Sequence, residues 1–210
     1  MDDQGTPPAL GDSSALRQRM GEPVAHVATK EMPCLDEYCR HFISLSPFLC
    51  LGTMDADGKA DVSPRGDPPG FVTVVDDRTV LIPDRPGNRR ADSMYNILAN
   101  PSVGLLFLVP GVEETLRLNG RATIVEDPAL LQGMAVRGKA PKLAIRVDIE
   151  EVFFHCAKAL KRSRLWDPDS RIERADFPRY GEIIRDQRRP GEDADEIEAD
   201  LQERYKTDIY

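Results

Sequence analysis

The clearest indication of the fold lies in residues 115–125, which read Thr-Leu-Arg-Leu-Asn-Gly-Arg-Ala-Thr-Ile-Val. Apolar and polar side chains alternate along this stretch, with Leu116, Leu118, Ala122 and Ile124 on one side and Thr115, Arg117, Asn119, Arg121 and Thr123 on the other. Successive side chains of an extended strand point to opposite faces of a sheet. The alternation therefore predicts a long strand with one face buried.

Six further segments have the composition of strands. They are Phe48–Met54, Lys59–Arg65, Phe71–Val75, Thr79–Ile82, Val103–Val109 and Leu143–Ile149. The fifth is apolar throughout, which predicts burial of both its faces. Short turns join most of the segments, and helices are predicted at 35–43 and 89–99. The sequence therefore predicts a mainly β fold, an antiparallel β-barrel with a few helices.

The composition indicates one folded domain with extensions. The chain has 210 residues, of which 40% are hydrophobic, enough for a sizeable core. We predict a flexible arm over 1–29, a central domain over 30–170 and a C-terminal extension over 171–210. Residues 190–210 hold eight acidic and two basic side chains, which is −6 of the net charge of −8. This charge argues against a nucleic-acid partner.

The cysteine and histidine content indicates the cellular compartment and whether a metal site is expected. The chain has four cysteines without a C-x-x-C pair and three scattered histidines. The sequence shows no secretory signal, and its uncharged stretches are too short to span a bilayer. We therefore expect a cytoplasmic protein with reduced thiols, no membrane partner and no metal site.

The first candidate site is the segment 82–90, Ile-Pro-Asp-Arg-Pro-Gly-Asn-Arg-Arg. A helix is predicted to begin here with Asn88 as its N-cap. Arg89 and Arg90 would then lie in the first turn, where positive charge opposes the helix dipole. An anion bound by free N–H groups and both guanidinium groups would remove that conflict. A solvated basic turn explains the same residues, and neither common phosphate-binding fingerprint is present.

The second candidate site is the end of the strand predicted at 59–65. Ser63 and Arg65 are two residues apart, so their side chains are expected on one face of the sheet. A hydroxyl beside a guanidinium suits a phosphate or the polar edge of a ring. A surface arginine–aspartate pair explains the same residues.

Seven motifs then follow one another along the chain. They are S-P-F-L-C-L-G-T at 46–53, D-V-S-P-R-G-D at 61–67, G-F-V at 70–72, I-P-D-R-P-G-N-R-R at 82–90, N-I-L-A-N-P at 96–101, L-F-L-V-P-G at 106–111 and E-T-L-R-L-N-G-R-A at 114–122. In this order they resemble the pyridoxamine 5'-phosphate oxidase-like family of FMN-binding split-barrel proteins, in a branch outside the vitamin B6 oxidases. The resemblance implies a split β-barrel that forms a homodimer, with FMN at the subunit interface.

The resemblance also implies a place for the FMN phosphate. In such proteins the turn-to-helix segment after the second hairpin binds it, which here corresponds to Asn88, Arg89 and Arg90. Pro83 and Asp84, at the preceding strand end, would lie along the flavin.

Five more residues receive a role from the same resemblance. Ser63 and Arg65 would contact the phosphate or the ring. Thr115 stands where the vitamin B6 oxidases carry an amide side chain that supports the isoalloxazine. Arg164 and Trp166, in the last region, are expected at the partner's flavin. Trp166 is explained equally well as a core or interface anchor.

The implied function is that of an FMN-dependent oxidoreductase acting on an unknown small molecule, with NAD(P)H or deazaflavin as candidate reductants. We identify no catalytic residue, because the cofactor carries the redox chemistry. The alternative is a non-catalytic protein of the same fold that binds or stores flavin or haem, with His41 and His155 as candidate axial ligands. We expect the acidic tail to be dispensable for cofactor binding, because its charge repels a phosphate.

Overall fold

The computed structural model describes residues 10–210 and divides the chain after Glu31 into two compact units. In the first unit, short helices span Ser13–Met20 (α1) and Ala25–Ala28 (α2). The Asp12 carboxylate accepts a hydrogen bond from the Ala15 N–H group and so caps α1. Residues 1–9 of the predicted N-terminal arm lie outside the described part of the chain.

A seven-stranded sheet dominates the second unit. Its strands are Phe48–Met54 (β1), Ala60–Gly66 (β2), Thr73–Asp76 (β3), Thr79–Pro83 (β4), Ser102–Leu108 (β5), Thr115–Val125 (β6) and Ala144–His155 (β7). Their order across the sheet is β2-β1-β5-β6-β7-β4-β3, and all neighbours are antiparallel. The prediction of a mainly β, antiparallel fold is confirmed.

The strand β6 contributes buried side chains to the core. Its alternation is as predicted, because Leu116, Leu118 and Ala122 are buried while Arg121 is exposed. A bulge interrupts its pairing with β7 beside Gly120, where a Cβ atom would lie 2.2 Å from the carbonyl oxygen of Asp148. Glycine is therefore required at this close approach of two backbones.

Two strand predictions need correction. The strand β7 continues to His155, beyond the predicted end at 149, because the bulge inserts Glu150 and shifts the phase of the alternation. The strand β5 does not bury both faces. Its residues Val103, Leu105 and Phe107 are buried, but the residues between them remain partly exposed within the described part of the chain.

Helices flank the sheet. In the second unit they span Glu37–Leu45 (α3), Asp92–Ala99 (α4), Pro128–Gln132 (α5), Lys158–Ser163 (α6), Tyr180–Arg188 (α7) and Ala194–Thr207 (α8). The last two form a hairpin, in which the N–H group of Gly181 donates to the Glu198 carboxylate at 2.8 Å. Within residues 10–210, none of the helices has the length and apolar character needed to cross a membrane.

The start of α4 differs from the prediction. The helix begins at Asp92, three residues after the predicted start, and Asn88 is not its N-cap. Arg89 and Ala91 adopt left-handed backbone conformations, with φ of 61° and 57°, which end the turn before the helix begins. Arg89 and Arg90 therefore lie outside the first turn, so the conflict with the helix dipole does not arise.

Candidate functional site

Two ion pairs join the segment that ends β2 to the segment that ends β4. The guanidinium of Arg65 donates to Asp84 at 3.2 Å, and that of Arg85 donates to Asp67 at 2.5 Å. The strand β2 is one edge of the sheet, and β4 lies next to the other edge. Side chains rather than backbone hydrogen bonds thus connect the two ends of the sheet. We call these four residues the seam.

The seam replaces the local pair considered from the sequence. Arg65 pairs with Asp84 and not with Asp67, whose side chain is only 1% exposed and is committed to Arg85. Removing a carboxylate from water is costly unless its charge is matched, so Arg85 is needed to keep Asp67 in place.

An unpaired donor marks the inner side of the seam. The Nε atom of Arg65 is buried and has no hydrogen-bond partner. Beside it along β2, the hydroxyls of Ser63 and Ser93 share a hydrogen bond at 3.0 Å, and the Ser93 hydroxyl also lies 3.5 Å from the Asp61 carboxylate. Ser93 belongs to the first turn of α4, whose N-cap residue Ala91 supplies no side-chain cap. Two serine hydroxyls and the start of α4 therefore lie together near β2, and the buried Arg65 Nε atom on the same strand has no acceptor.

The predicted phosphate residues 88–90 form an exposed turn next to this point. The Asn88 side chain accepts from the Arg90 N–H group at 3.0 Å and so fixes the turn. The Arg90 guanidinium donates to Asp92 at 2.8 Å, and this bond raises the pKa of Arg90 together with the charges of Asp92 and Asp61. Arg89 makes no ion pair with any residue in 10–210, so its charge is available to a ligand.

The remaining predicted residues lie elsewhere. Arg164 and Trp166 line a cleft of about 600 Å³ formed by the turn 111–114 and by residues of 160–167. The indole N–H of Trp166 donates to the Val112 carbonyl at 2.8 Å, and Arg164 binds Asp167 at 2.6 Å. Thr115 is buried at the start of β6, opposite His155.

The structure thus brings some predicted site residues together and separates others. Arg65 and Asp84 pair at the seam, Ser63 lies two residues before Arg65 on β2, and Pro83 is the buried last residue of β4, directly before Asp84. The cleft with Arg164 and Trp166 is a second region, and none of the described hydrogen bonds or ion pairs connects it to the seam.

Ser93 and Tyr210 were not predicted as part of this region. The only local signal for Ser93 is weak: it follows the acidic Asp92 in the first turn of α4. Tyr210 had no local signal, because its hydroxyl donates at 2.5 Å to Asp67, a residue far away in sequence. This bond raises the pKa of Tyr210. The acidic tail therefore does reach the basic segment, through a neutral phenol rather than through its carboxylates.

The cysteines and the described histidines, His41 and His155, do not form a cluster within residues 10–210. All four cysteines are free thiols, and burial raises the pKa of Cys39 to about 12, so this thiol stays protonated. No group of three or more metal-ligating side chains comes together within residues 10–210. The ring of His155 packs 5.1 Å from that of Phe153.

Comparisons with known proteins were made for sequence and structure. A comparison with curated proteins gives no match. Among solved structures, HupZ of Group A Streptococcus is 18% identical, with 57% of this chain and 93% of that chain covered and a TM-score of 0.48. A Lactobacillus delbrueckii protein described as a candidate pyridoxamine 5'-phosphate oxidase is 24% identical, over 60% and 99% of the two chains, with a TM-score of 0.46. An FMN-binding protein of Syntrophomonas wolfei is 14% identical, over 56% and 81%, with a TM-score of 0.43.

The family profile described as pyridoxamine 5'-phosphate oxidase matches residues 35–156. This range is more than half of the 210 residues and contains all seven strands together with the seam. The chain belongs to the pyridoxamine 5'-phosphate oxidase family.

Proposed function

We propose that this protein is an FMN-dependent oxidoreductase that acts on a small molecule. One observation carries the proposal: the buried Nε donor of Arg65 has no partner at a point where serine hydroxyls and the uncapped start of α4 converge. A buried donor without an acceptor is costly, and an anion would satisfy it. Membership of the pyridoxamine 5'-phosphate oxidase family supports the phosphate of FMN as this anion.

The residues present fit a phosphate. Arg65 would donate a charge-assisted hydrogen bond, and Ser63 and Ser93 would donate from their hydroxyls. The N–H groups at the start of α4 offer further donors to an anion. Arg89 adds a free positive charge at the exposed rim. Asp84 holds the other side of the Arg65 guanidinium and so fixes its orientation.

The rest of the flavin would lie along the end of β4, where Pro83 is buried and Asp84 is half-buried. Bound FMN supplies the hydride-transfer chemistry. The chain's own residues would bind the phosphate, orient the ring and exclude water from one side of it. We assign no acid or base to the reaction.

A homodimer is part of the proposal. The outer face of the sheet at β1, β2 and β5 carries Phe48, Met54 and Val62, which are 38%, 40% and 68% exposed. In the register of these strands, Gly52 lies between Val62 and Gly104, so the centre of this face is flat. Exposed apolar surface of this kind favours covering by a second subunit. The partner's cleft, with Arg164 and Trp166, would then complete the flavin site.

The proposal also covers the domain organisation of the chain and its cellular location. We propose that residues 30–170 form the cofactor-binding domain and that 171–210 are an extension of it. A cytoplasmic location is proposed because the four thiols are free.

The decisive experiment identifies the ligand of the purified protein. We expect the native protein to show a flavin absorption spectrum and its bound flavin to be reduced by NADPH, NADH or reduced deazaflavin. Denaturation of a separate sample should release FMN. A Soret band in place of the flavin spectrum would overturn the proposal in favour of haem binding. Tight FMN binding without reduction by any of the three donors would favour flavin storage over catalysis.

A further inference from the structure

Tyr210 occupies a specific position on the central domain, beyond the end of α8. Its hydroxyl donates to Asp67 at 2.5 Å. Its ring lies 5.9 Å from the guanidinium carbon of Arg85 and 5.1 Å from that of Arg137. Its backbone oxygen accepts from the Lys139 ammonium at 2.8 Å. Four separate groups of the domain therefore hold a single residue.

The site that receives Tyr210 is built around a buried charge. The Asp67 side chain is 1% exposed, and its two oxygens accept from Arg85 and from Tyr210 respectively. A buried carboxylate needs its acceptors filled, so the phenol replaces the water that Asp67 would otherwise require. The two guanidinium groups add cation–π attraction to the ring.

Tyr210 also anchors the whole C-terminal hairpin. Within the described chain, the Arg171 N–H group donates to the nearby Pro168 carbonyl, and the other hydrogen bonds and the cation–π contacts between residues 171–210 and the sheet domain belong to Tyr210. The hairpin otherwise holds itself together, through bonds such as those of Arg179 with Glu182 and Asp195. The side chain of Tyr210 therefore links the end of the extension to the domain.

The structural role of Tyr210 follows from the residues that it contacts. Arg85 follows Asp84, the partner of Arg65, and precedes the turn 88–90 by only two residues. That turn is exposed, and its Arg89 has a left-handed backbone. Fixing the Arg85 side chain between Asp67 and the phenol therefore restrains one end of the turn and supports the seam.

We propose that Tyr210 is a positioning residue of the phosphate site, which clamps Arg85 and thereby holds the seam and the turn 88–90 in the geometry that receives an anion. The inference rests on the proposed function for the identity of the ligand. It replaces the expectation that the tail is dispensable.

The test compares three variants of the full chain. Tyr210→Ala removes the ring and the hydroxyl, and Tyr210→Phe keeps the ring between the guanidinium groups. Tyr205→Ala is the matched control, because Tyr205 is 55% exposed on α8. Dissociation constants are measured for FMN and for riboflavin, which lacks the phosphate. Thermal unfolding of each variant reports overall stability.

We expect Tyr210→Ala to weaken FMN binding about tenfold and riboflavin binding much less, since the clamp acts on groups that bind the phosphate. Tyr210→Phe should recover part of the loss, and Tyr205→Ala should match the wild type. Equal losses for FMN and riboflavin, or no loss for either, would overturn the inference.

A second readout needs no flavin. Trypsin cleaves after Arg89 and Arg90 if the turn is mobile, and cleavage after Lys59, in the β1–β2 turn, serves as the internal reference. In the flavin-free protein, Tyr210→Ala should raise the ratio of these cleavage rates about tenfold, because local opening depends on the contacts that restrain a segment. An unchanged ratio would refute the clamp. If the wild type binds no FMN, the proposed function fails, and this ratio still decides the role of Tyr210.

Discussion

The seam and the cleft both contain arginine–aspartate pairs, but they are built differently. At the seam, the partners are 18 and 19 residues apart in sequence and come from strands near opposite edges of the sheet. Their side chains are between 1% and 35% exposed. At the cleft, Arg164 and Asp167 are three residues apart, and the Arg164 side chain is 58% exposed.

This difference indicates different roles. The seam exists only when the sheet is complete, and its burial makes each charge dependent on its partner. The pair at the cleft forms within one turn of chain in contact with water, where such pairs contribute little. The seam therefore forms within a single chain, whereas in the proposed homodimer the second subunit would cover the cleft.

The largest expected effect concerns the stability of the seam. Asp67→Ala should lower the free energy of unfolding by about 3–5 kcal/mol, because it leaves Arg85 buried without a counter-charge. Arg164→Ala at the cleft should lower it by less than about 1 kcal/mol. Urea unfolding followed by circular dichroism measures both. Similar losses for the two variants would remove the distinction between the regions.

The next effect concerns the proposed homodimer, in which the cleft of one subunit would meet the seam of the other. Val62→Asp places a charge in the proposed interface, and it should raise the dimer dissociation constant about a hundredfold or more. Sedimentation velocity measures the change, and FMN content should fall in parallel. Val75→Asp is the control, because Val75 lies on the edge strand β3 and is 48% exposed. A Val62→Asp monomer that retains FMN would show that the cleft is not needed.

A smaller effect is the loss of FMN affinity when single residues of the proposed phosphate site are replaced. Arg65→Ala should weaken FMN binding about tenfold to a hundredfold, because a hydrogen bond to a charged group contributes roughly 1.5–3 kcal/mol. Riboflavin binding should change far less. Isothermal titration calorimetry with both ligands gives the comparison.

Within the turn 88–90, Arg89→Ala should cost more FMN affinity than Arg90→Ala, since Arg90 is already bound to Asp92. Arg121→Ala, on the exposed side of β6, is the control for a general loss of positive charge. If Arg121→Ala weakens FMN binding as much as Arg65→Ala, the phosphate lies elsewhere.

The smallest effect is a pH dependence of the clamp. The hydrogen bond to Asp67 raises the pKa of Tyr210 above its ordinary value of 10.0. The stabilisation it brings is therefore complete below that value and is lost as the pH rises through the raised pKa. The free energy of unfolding should fall more steeply in alkali for the wild type than for Tyr210→Phe. Parallel curves for the two proteins would mean that the phenol contributes nothing to stability.

Sequence patterns predicted the strands where the alternation was regular. The bounds of β6 were correct, because no residue interrupts its period of two. The end of β7 was missed, since the bulge at Glu150 changes the phase of the alternation, and a pattern with a period of two does not extend to the five strand residues that follow it. The start of α4 was misplaced because left-handed conformations at Arg89 and Ala91 cannot be foreseen from residue types that rarely adopt them.

The candidate site was predictable only in part, because some of its contacts join residues that are far apart in sequence. Ser63 and Arg65 lie on one strand, so a local rule relates them. The partners of Arg65 and Asp67 depend on how the two ends of the sheet meet, and Asp67 is 143 residues from Tyr210. No local pattern contains contacts of this range.

The strand order also determines when the seam can form during synthesis of the chain. The hairpins β1–β2 and β3–β4 pair neighbouring segments, but β4 must wait for β7, which the ribosome completes only at His155. Contacts between distant segments form late because closing a long loop costs entropy. We expect Arg65 and Asp84 to meet near the end of folding, so a flavin would bind a nearly finished subunit and could not serve as the template on which the sheet is assembled.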